Sequence, residues 1–145
     1  MQTLNHIFRS HPASDDQHNE LYAEILENLA TCVTACTVCA DACLAEKNPA
    51  HLRNCIRADL DCAEICSATM RVLARNSGTD PQVLHGLLHA CIVACQACAD
   101  ECESHADEHE HCRLCGMVCR QCQERCNFLL GETSSAGIAD ETHVS

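Results

Sequence analysis

Apolar and cysteine positions recur every three or four residues along four stretches of the chain, and this is the spacing of one face of an α-helix. The first stripe begins at Leu21 and continues through four cysteines, Cys32, Cys36, Cys39 and Cys43. Proline or glycine follows the stripes at Pro49, Gly78 and Gly131. The pattern predicts helices at about residues 17–45 and 49–76, from Pro81 past Cys102, and from about Cys112 to Gly131.

The first two predicted helices repeat as the last two. The stripe from Cys32 to Cys43 recurs 59 residues later as Cys91, Cys95, Cys98 and Cys102. With an offset of 60, the remaining matches are Cys55 with Cys115, Cys62 with Cys122, Cys66 with Cys126, His51 with His111 and Asp59 with Cys119. Two αα-hairpins joined by short connections predict an all-α protein, an antiparallel four-helix bundle.

Chain length and local composition divide the sequence into three regions. A chain of 145 residues is long enough for one domain with its own core. We expect residues 1–16 to form a loose arm or a short extra helix, residues 17–131 the bundle, and residues 132–145 a disordered tail. At one end of the bundle, the sequence predicts an apolar plug of Leu21, Ile25, Leu73, Leu84, Leu88, Phe128 and Leu129.

Composition and charge narrow the classes of function. The chain has nine basic and 21 acidic residues, a net charge of −12, and no basic stripe, which argues against nucleic acid as a partner. Residues 1–10 lack the features of a secretory signal, and no uninterrupted apolar run approaches the length of about 18 residues that a membrane span needs. We therefore expect a cytoplasmic protein with no membrane partner.

The sixteen cysteines set the central question, because the chain has no Trp, one Tyr and two Phe. Disulfides within one helix are disfavoured, since Cβ atoms three or four residues apart are separated by about 5–6 Å and a disulfide needs roughly 3.8 Å. Bridges between helices remain open. A purely structural role explains one or two buried cysteines but not sixteen on inward stripes.

Metal binding explains the stripes better. A zinc or iron–sulfur site needs four thiolates that converge on one point, and we expect ladders along helices not to converge. Successive pairs of thiolates suit a soft ion that accepts two or three sulfurs, which favours Cu(I). Pairs with the spacing Cys-x3-Cys, such as Cys32 with Cys36 and Cys122 with Cys126, would each hold one ion.

These residues carry a family resemblance. Cysteine ladders on all four predicted helices, with a histidine cluster beside one hairpin turn, resemble the cytosolic branch of the bacterial copper storage proteins over about residues 17–131. The resemblance implies a homotetramer that holds many Cu(I) ions on thiolates in the lumen, with copper entering near histidines at one open end. It also makes a copper chaperone or acceptor protein a candidate partner. Asp59 departs from the pattern, because the internal repeat expects cysteine there.

The predicted metal ligands are therefore all sixteen cysteines together with Asp59 and four histidines. They are Cys32, Cys36, Cys39, Cys43, Cys55, Cys62, Cys66, Cys91, Cys95, Cys98, Cys102, Cys112, Cys115, Cys119, Cys122, Cys126, Asp59, His51, His105, His109 and His111. No set of catalytic residues stands out, so we expect no enzyme. The alternative is a thiol redox or iron–sulfur electron-transfer protein, with Cys112 and Cys115 at a helix start as the reactive pair.

Overall fold

The protein is all-helical over the residues that the structure describes. The computed structural model describes residues 2–14, 16–75 and 78–144, with side chains for residues 3–14, 18–75 and 78–133. The helices are α1 (Gln2–Ser10), α2 (Asp16–Ala45), α3 (Arg53–Ala74), α4 (Pro81–Ser104) and α5 (Glu110–Val144). A 3₁₀ turn, Pro49–Leu52, leads into α3. The predicted end of this helix at residue 76 lies outside the described residues.

Local sequence signals set several helix ends. Asp80 caps α4, because its carboxylate accepts a hydrogen bond from the backbone N–H of Gln82 at 2.9 Å, and Pro81 occupies the first helical position. Gly78 has a φ of 92°, a left-handed conformation that favours glycine, in the connection before this cap. Both signals were readable in the sequence, and the predicted start of α4 is confirmed.

The four long helices pack in a ring around a core of cysteine. Helix α2 contacts α3 and α5, and α4 contacts the same two helices. All sixteen cysteines are buried. Arg125 pairs with Glu24 at 2.7 Å between α5 and α2, and Arg120 pairs with Glu103 at 2.8 Å between α5 and α4. The predicted inward orientation of the cysteine stripes is confirmed.

Large aliphatic side chains close one end of this core. They precede the first cysteine of α2 and of α4, and they follow the last cysteine of α3 and of α5. These outermost cysteines are Cys32, Cys91, Cys66 and Cys126. The buried members are Ile25, Leu29, Leu73, Leu88 and Leu129. We call this the closed end. Leu21 and Leu84 are only half-buried. Phe128 is 51% exposed, so its predicted place in the plug is wrong.

The N-terminal region forms a short helix rather than a loose arm. Helix α1 packs against α2, and Phe8 is buried in the common core with Leu4 beside it. Its neighbour Ile7 is 60% exposed. One apolar side chain therefore anchors α1, as expected for a short amphipathic helix.

Helix α5 continues past the predicted stop at Gly131. Its backbone is helical to Val144. The sequence predicted a disordered tail for residues 132–145, and the structure has a helix there as far as Val144. A glycine ends a helix when it adopts a left-handed conformation, and Gly78 is the only described glycine with positive φ. Inside a helix, glycine costs only about 1 kcal/mol relative to alanine. Thr133 also donates to the carbonyl of Leu129 at 3.0 Å, within the continued helix.

Two helical segments, His18–Ala45 and Pro81–Ser104, are long and apolar enough to cross a membrane by length and composition alone. Each reaches a mean hydropathy of 1.4, although neither is an uninterrupted apolar run. Their cysteines account for much of this value and face the core of the bundle. A buried core helix passes the same test, so the signal is weak evidence for a membrane span.

Candidate metal centre

The cysteine sulfurs form a connected network along the middle of the bundle. The Sγ atoms of Cys66 on α3 and Cys91 on α4 lie 3.4 Å apart. The Sγ atoms of Cys36 and Cys119 are 3.6 Å apart, and the distance from Cys91 to Cys126 is 3.7 Å. Within one helix, Cys32 and Cys36 are 3.9 Å apart. Contacts between helices are therefore as short as those along the ladders.

Sets of four sulfurs converge on common points. The expectation that cysteine ladders along helices do not converge is therefore wrong. One quartet brings Cys32 within 3.9 Å of each of Cys36, Cys62 and Cys119. With metal–thiolate bonds of about 2.3 Å, the sulfurs of a tetrahedral site lie about 3.8 Å apart. The ladders converge because three or four helices contribute sulfurs at the same height. The all-cysteine quartets include Cys32/Cys36/Cys62/Cys119, Cys36/Cys98/Cys115/Cys119 and Cys32/Cys66/Cys95/Cys122.

Asp59 faces the lumen, as predicted, and lies among thiols. Its side chain is fully buried. The thiols of Cys98, Cys115 and Cys102 point at Oδ1 from 3.0, 3.4 and 3.5 Å, and that of Cys55 lies 4.0 Å from Oδ2. Burial, followed by the charge of Cys115, raises the pKa of the carboxyl to about 7. Asp59 is thus partly protonated near neutral pH.

We call the end of the bundle opposite the closed end the mouth. There, the outermost sulfurs lie beside a histidine. The Sγ of Cys112 is 4.0 Å from those of Cys39 and Cys43. The Nδ1 atom of His111 lies 3.5 Å from Cys39 Sγ and 3.6 Å from Cys112 Sγ. Burial, followed by the charge of Cys112, raises the pKa of Cys43 to about 12. We call Cys39, Cys43, Cys112 and His111 the mouth tetrad; their ligand atoms all lie within 4.8 Å of one another.

The four predicted histidines meet at this end. The ring centroids of His51 and His105 are 5.8 Å apart, those of His51 and His109 are 6.0 Å apart, and those of His109 and His111 are 5.4 Å apart. They come from the 3₁₀ turn, the connection between α4 and α5, and the start of α5, which the fold brings together. Of the four, His111 contacts sulfur directly.

Glu46 is a site residue that the sequence did not reveal. Its Oε2 atom lies 2.9 Å from His111 Nε2 and 2.9 Å from His109 Nδ1. The hydrogen bond from His111, followed by the charges of both histidines, lowers the pKa of Glu46. A glutamate at a helix end is common on any acidic surface, so spacing alone could not single it out.

The arrangement suits soft metal ions. The donors are thiols held in one continuous network, with a carboxyl and an imidazole near the mouth, and they can bridge neighbouring ions as well as bind single ones. Each metal ion that binds displaces the protons of its thiols. Fold and site therefore define a helical metal-binding protein with room for several ions.

Comparison with known proteins supports the assignment to metal-binding helical proteins. The profile of the copper storage protein family matches residues 18–131. A solved structure of the copper storage protein Ccsp from Streptomyces lividans, loaded with 10 copper equivalents, is 45% identical, with a TM-score of 0.84, and covers 88% of this chain and 98% of that chain. A structure of the cytosolic protein from the same organism with five coppers is 49% identical, with a TM-score of 0.76, over 77% and 93% of the two chains.

A bacterial relative extends the comparison. The uncharacterized cysteine-rich protein YhjQ of Bacillus subtilis (strain 168) is 35% identical over 111 residues, which cover 76% of this chain and 97% of that protein. The chain belongs to the copper storage protein family. Storage is a non-enzymatic role.

Proposed function

We propose that this protein stores several Cu(I) ions in the cytosol on the thiolates of the bundle lumen. The observation that carries the proposal is the unbroken network of sixteen buried thiols, because a single structural site would use only four. Thiolate is the ligand that soft Cu(I) prefers. Related proteins from Streptomyces lividans hold five and 10 copper equivalents, one of them described as cytosolic, which supports both the cargo and the location.

All sixteen cysteines serve as copper ligands in this proposal, with Asp59 as an additional donor in the layer that it shares with Cys39, Cys102 and Cys115. Copper enters at the mouth. The cluster of His51, His105, His109 and His111 supports this route, since imidazole exchanges copper more readily than a bridging pair of thiolates. Beyond the outermost cysteines at the closed end, the buried polar side chains among the described residues are Asn19 and Thr69, and neither is a histidine.

The finer architecture that we propose is an antiparallel four-helix bundle built from two αα-hairpins. Contacts support it, since Cys66 near the end of α3 meets Cys91 near the start of α4, and Cys55 meets Cys102 at the other ends of these helices. We further propose a homotetramer and exchange of copper with a chaperone or acceptor protein. Exposed apolar side chains on outward faces support an oligomer; they are Val38, Leu44, Leu60, Val93, Leu114 and Met117.

Anaerobic loading tests the storage function. Reduced, metal-free protein is mixed with excess Cu(I), freed of unbound metal and analysed for copper and thiols. We expect on the order of one Cu(I) per thiolate, little change in helix content and an almost colourless product, because Cu(I) has a filled d shell. One or two copper ions per chain would contradict storage. Iron and brown absorbance in the protein as purified would favour the iron–sulfur alternative.

A further inference from the structure

The mouth tetrad differs from the rest of the sulfur network in its donor set. Three thiols and one imidazole share a space in which every ligand atom lies within 4.8 Å of every other. Three cysteines and one histidine are a common ligand set of tetrahedral zinc sites. The residues come from α2 and α5, so the packing of these helices assembles the tetrad, and no loop has to reorganise around an ion.

The distances match a four-coordinate site. With bonds of about 2.3 Å to sulfur and about 2.0–2.1 Å to nitrogen, a tetrahedral zinc ion separates sulfur from nitrogen by about 3.5 Å and sulfur from sulfur by about 3.8 Å. The two measured Sγ–Nδ1 distances are 3.5 Å from Cys39 and 3.6 Å from Cys112. The two measured Sγ–Sγ distances are 4.0 Å.

Glu46 supplies a second, independent feature of zinc sites. Histidine ligands of zinc usually donate their other ring N–H to a carboxylate, which fixes the tautomer and aims the free nitrogen at the metal. The Nε2 of His111 lies 2.9 Å from Glu46 Oε2 while Nδ1 faces the sulfurs. In this tautomer, Nε2–H donates to Glu46, and the Nδ1 lone pair faces the thiols of Cys39 and Cys112, whose protons an ion would replace.

Charge favours the mouth tetrad over the all-cysteine quartets for a divalent ion. Zinc bound by three thiolates and neutral imidazole leaves a net charge of −1, whereas four thiolates leave −2. The cysteines of both kinds of site are at most 2% exposed, where an uncompensated charge is costly, so the smaller residual charge favours the tetrad; its His111 is 23% exposed.

We propose that the mouth tetrad is a Zn²⁺ site and that a zinc ion bound there closes the mouth to copper. Binding forms three Zn–S bonds and one Zn–N bond, breaks three S–H bonds and releases three protons to the solvent. Cys43 and Cys112 are among the outermost sulfurs, so the ion stands in the path of incoming Cu(I). The closing effect rests on the proposed storage function, whereas the zinc site itself does not.

Titration of the full-length, reduced, metal-free protein with Zn²⁺ or Co²⁺ tests the site. Zinc affinity comes from competition with a chelator, and proton release from a pH indicator. We expect the first equivalent of Co²⁺ to give the visible absorption of tetrahedral Co²⁺–thiolate and to release three protons.

Variants of the tetrad and of its carboxylate test which residues hold the ion. His111→Ala should lower the affinity for the first zinc ion by about 10–100-fold, and Glu46→Gln should lower it by about tenfold. Unchanged helix content in His111→Ala separates loss of a ligand from loss of folding.

His105→Ala is the matched control, because this ring lies in the same cluster beside His51 and is not a member of the mouth tetrad. It should bind zinc like the parent protein. The proposed site is wrong if both His111→Ala and Cys43→Ser bind zinc as tightly as the parent protein. It is also wrong if the parent protein does not bind zinc tightly.

Copper loading of the zinc-bound and zinc-free proteins then tests closure. Loading that is at least severalfold slower with zinc bound supports it, and equal rates would overturn it. Copper capacity separates the two proposals. Zinc binding without multiple copper ions would refute storage alone, and full copper capacity without zinc binding would refute only the zinc site.

Discussion

The two ends of the bundle are built from different chemistry on the same four helices. At the mouth, the outermost cysteines are Cys43, Cys55, Cys102 and Cys112, with imidazoles and Glu46 beside them and Leu52 buried in the 3₁₀ turn. At the closed end, the equivalent layer is aliphatic, with Ile25, Leu29, Leu73, Leu88 and Leu129 buried. The contrast separates two tasks in our proposal, since aliphatic packing holds the helices together without metal and the polar end is the proposed place of ion exchange.

Asp59 marks where the mouth half departs from the internal repeat. The equivalent position in the second hairpin is Cys119, whose Sγ lies 3.6 Å from Cys36 and 3.9 Å from Cys32. The carboxyl instead accepts from several thiols and adds a titratable oxygen to an otherwise sulfur-lined space. The mouth half is therefore where the titration of this carboxyl should act, between about pH 4 and about pH 8.

The largest expected effect is on the pH dependence of stability. The pKa of Asp59 rises from 3.8 to about 7 on folding, so the folded state holds the proton more tightly than the unfolded state. The contribution of Asp59 to the free energy of unfolding is fully present below about pH 4 and falls by roughly 4 kcal/mol by about pH 8 as the folded carboxyl ionises. Asp59→Asn should flatten this slope. Urea unfolding of the reduced apo protein across this range measures it, and an unchanged slope would contradict the assignment.

Truncation at the closed end should cost stability but not copper. Leu88 is fully buried, so Leu88→Ala should lower the free energy of unfolding by about 3 kcal/mol and leave copper capacity unchanged. Val83→Ala is the control, since Val83 is 52% exposed and its loss should change stability by less than about 0.5 kcal/mol. Denaturant unfolding and metal analysis measure the two quantities, and a large fall in capacity with Leu88→Ala would break the division of tasks.

Removal of the mouth histidines should change rate rather than capacity. The variant in which His105, His109 and His111 are all alanine should load Cu(I) from a chelator about tenfold more slowly and reach nearly the parental stoichiometry. Replacing His85 and His89, in the first half of α4 toward the closed end, is the control and should have little effect. Loading at the parental rate by the triple variant would exclude this entrance, and a slowed control would place it at the other end.

The smallest expected effect tests the break in the repeat. Asp59→Cys completes the ladder of α3 and should raise copper capacity by about one ion, because Cu(I) prefers thiolate to carboxylate. Native mass spectrometry of the loaded protein resolves a change of this size. Unchanged capacity in a folded variant would assign Asp59 a role other than that of a replaced ligand.

Much of this comparison was readable in the sequence, because helical spacing fixes which residues face inward. The cysteine stripes, the cap at Asp80 and the inward position of Asp59 obey local rules. Spacing does not fix the height at which one helix meets the next. That register depends on tertiary packing, and it decides that Cys36 meets Cys119 and that sulfurs converge into quartets.

Local spacing also does not determine tertiary contacts, and this explains what the sequence predictions missed at the chain ends and at the mouth. Gly131 resembles a helix stop, but the conformation of a glycine depends on its neighbours in the chain, and α5 continues through it. Glu46 lies 65 residues from His111 in the chain, and only the assembled bundle brings its carboxylate to the imidazole. Phe128 lies next to the buried Leu129 in sequence but faces outward, because its place on the helix turns it from the core.

X-ray absorption of the fully loaded protein at the copper edge tests the central claim most directly. Storage in the lumen predicts copper in the Cu(I) state, with sulfur as the dominant neighbour and a second shell of nearby copper ions, because neighbouring quartets share cysteines such as Cys36 and Cys119. Isolated copper ions surrounded mainly by nitrogen and oxygen would place the cargo on surface histidines and carboxylates, and would contradict the account.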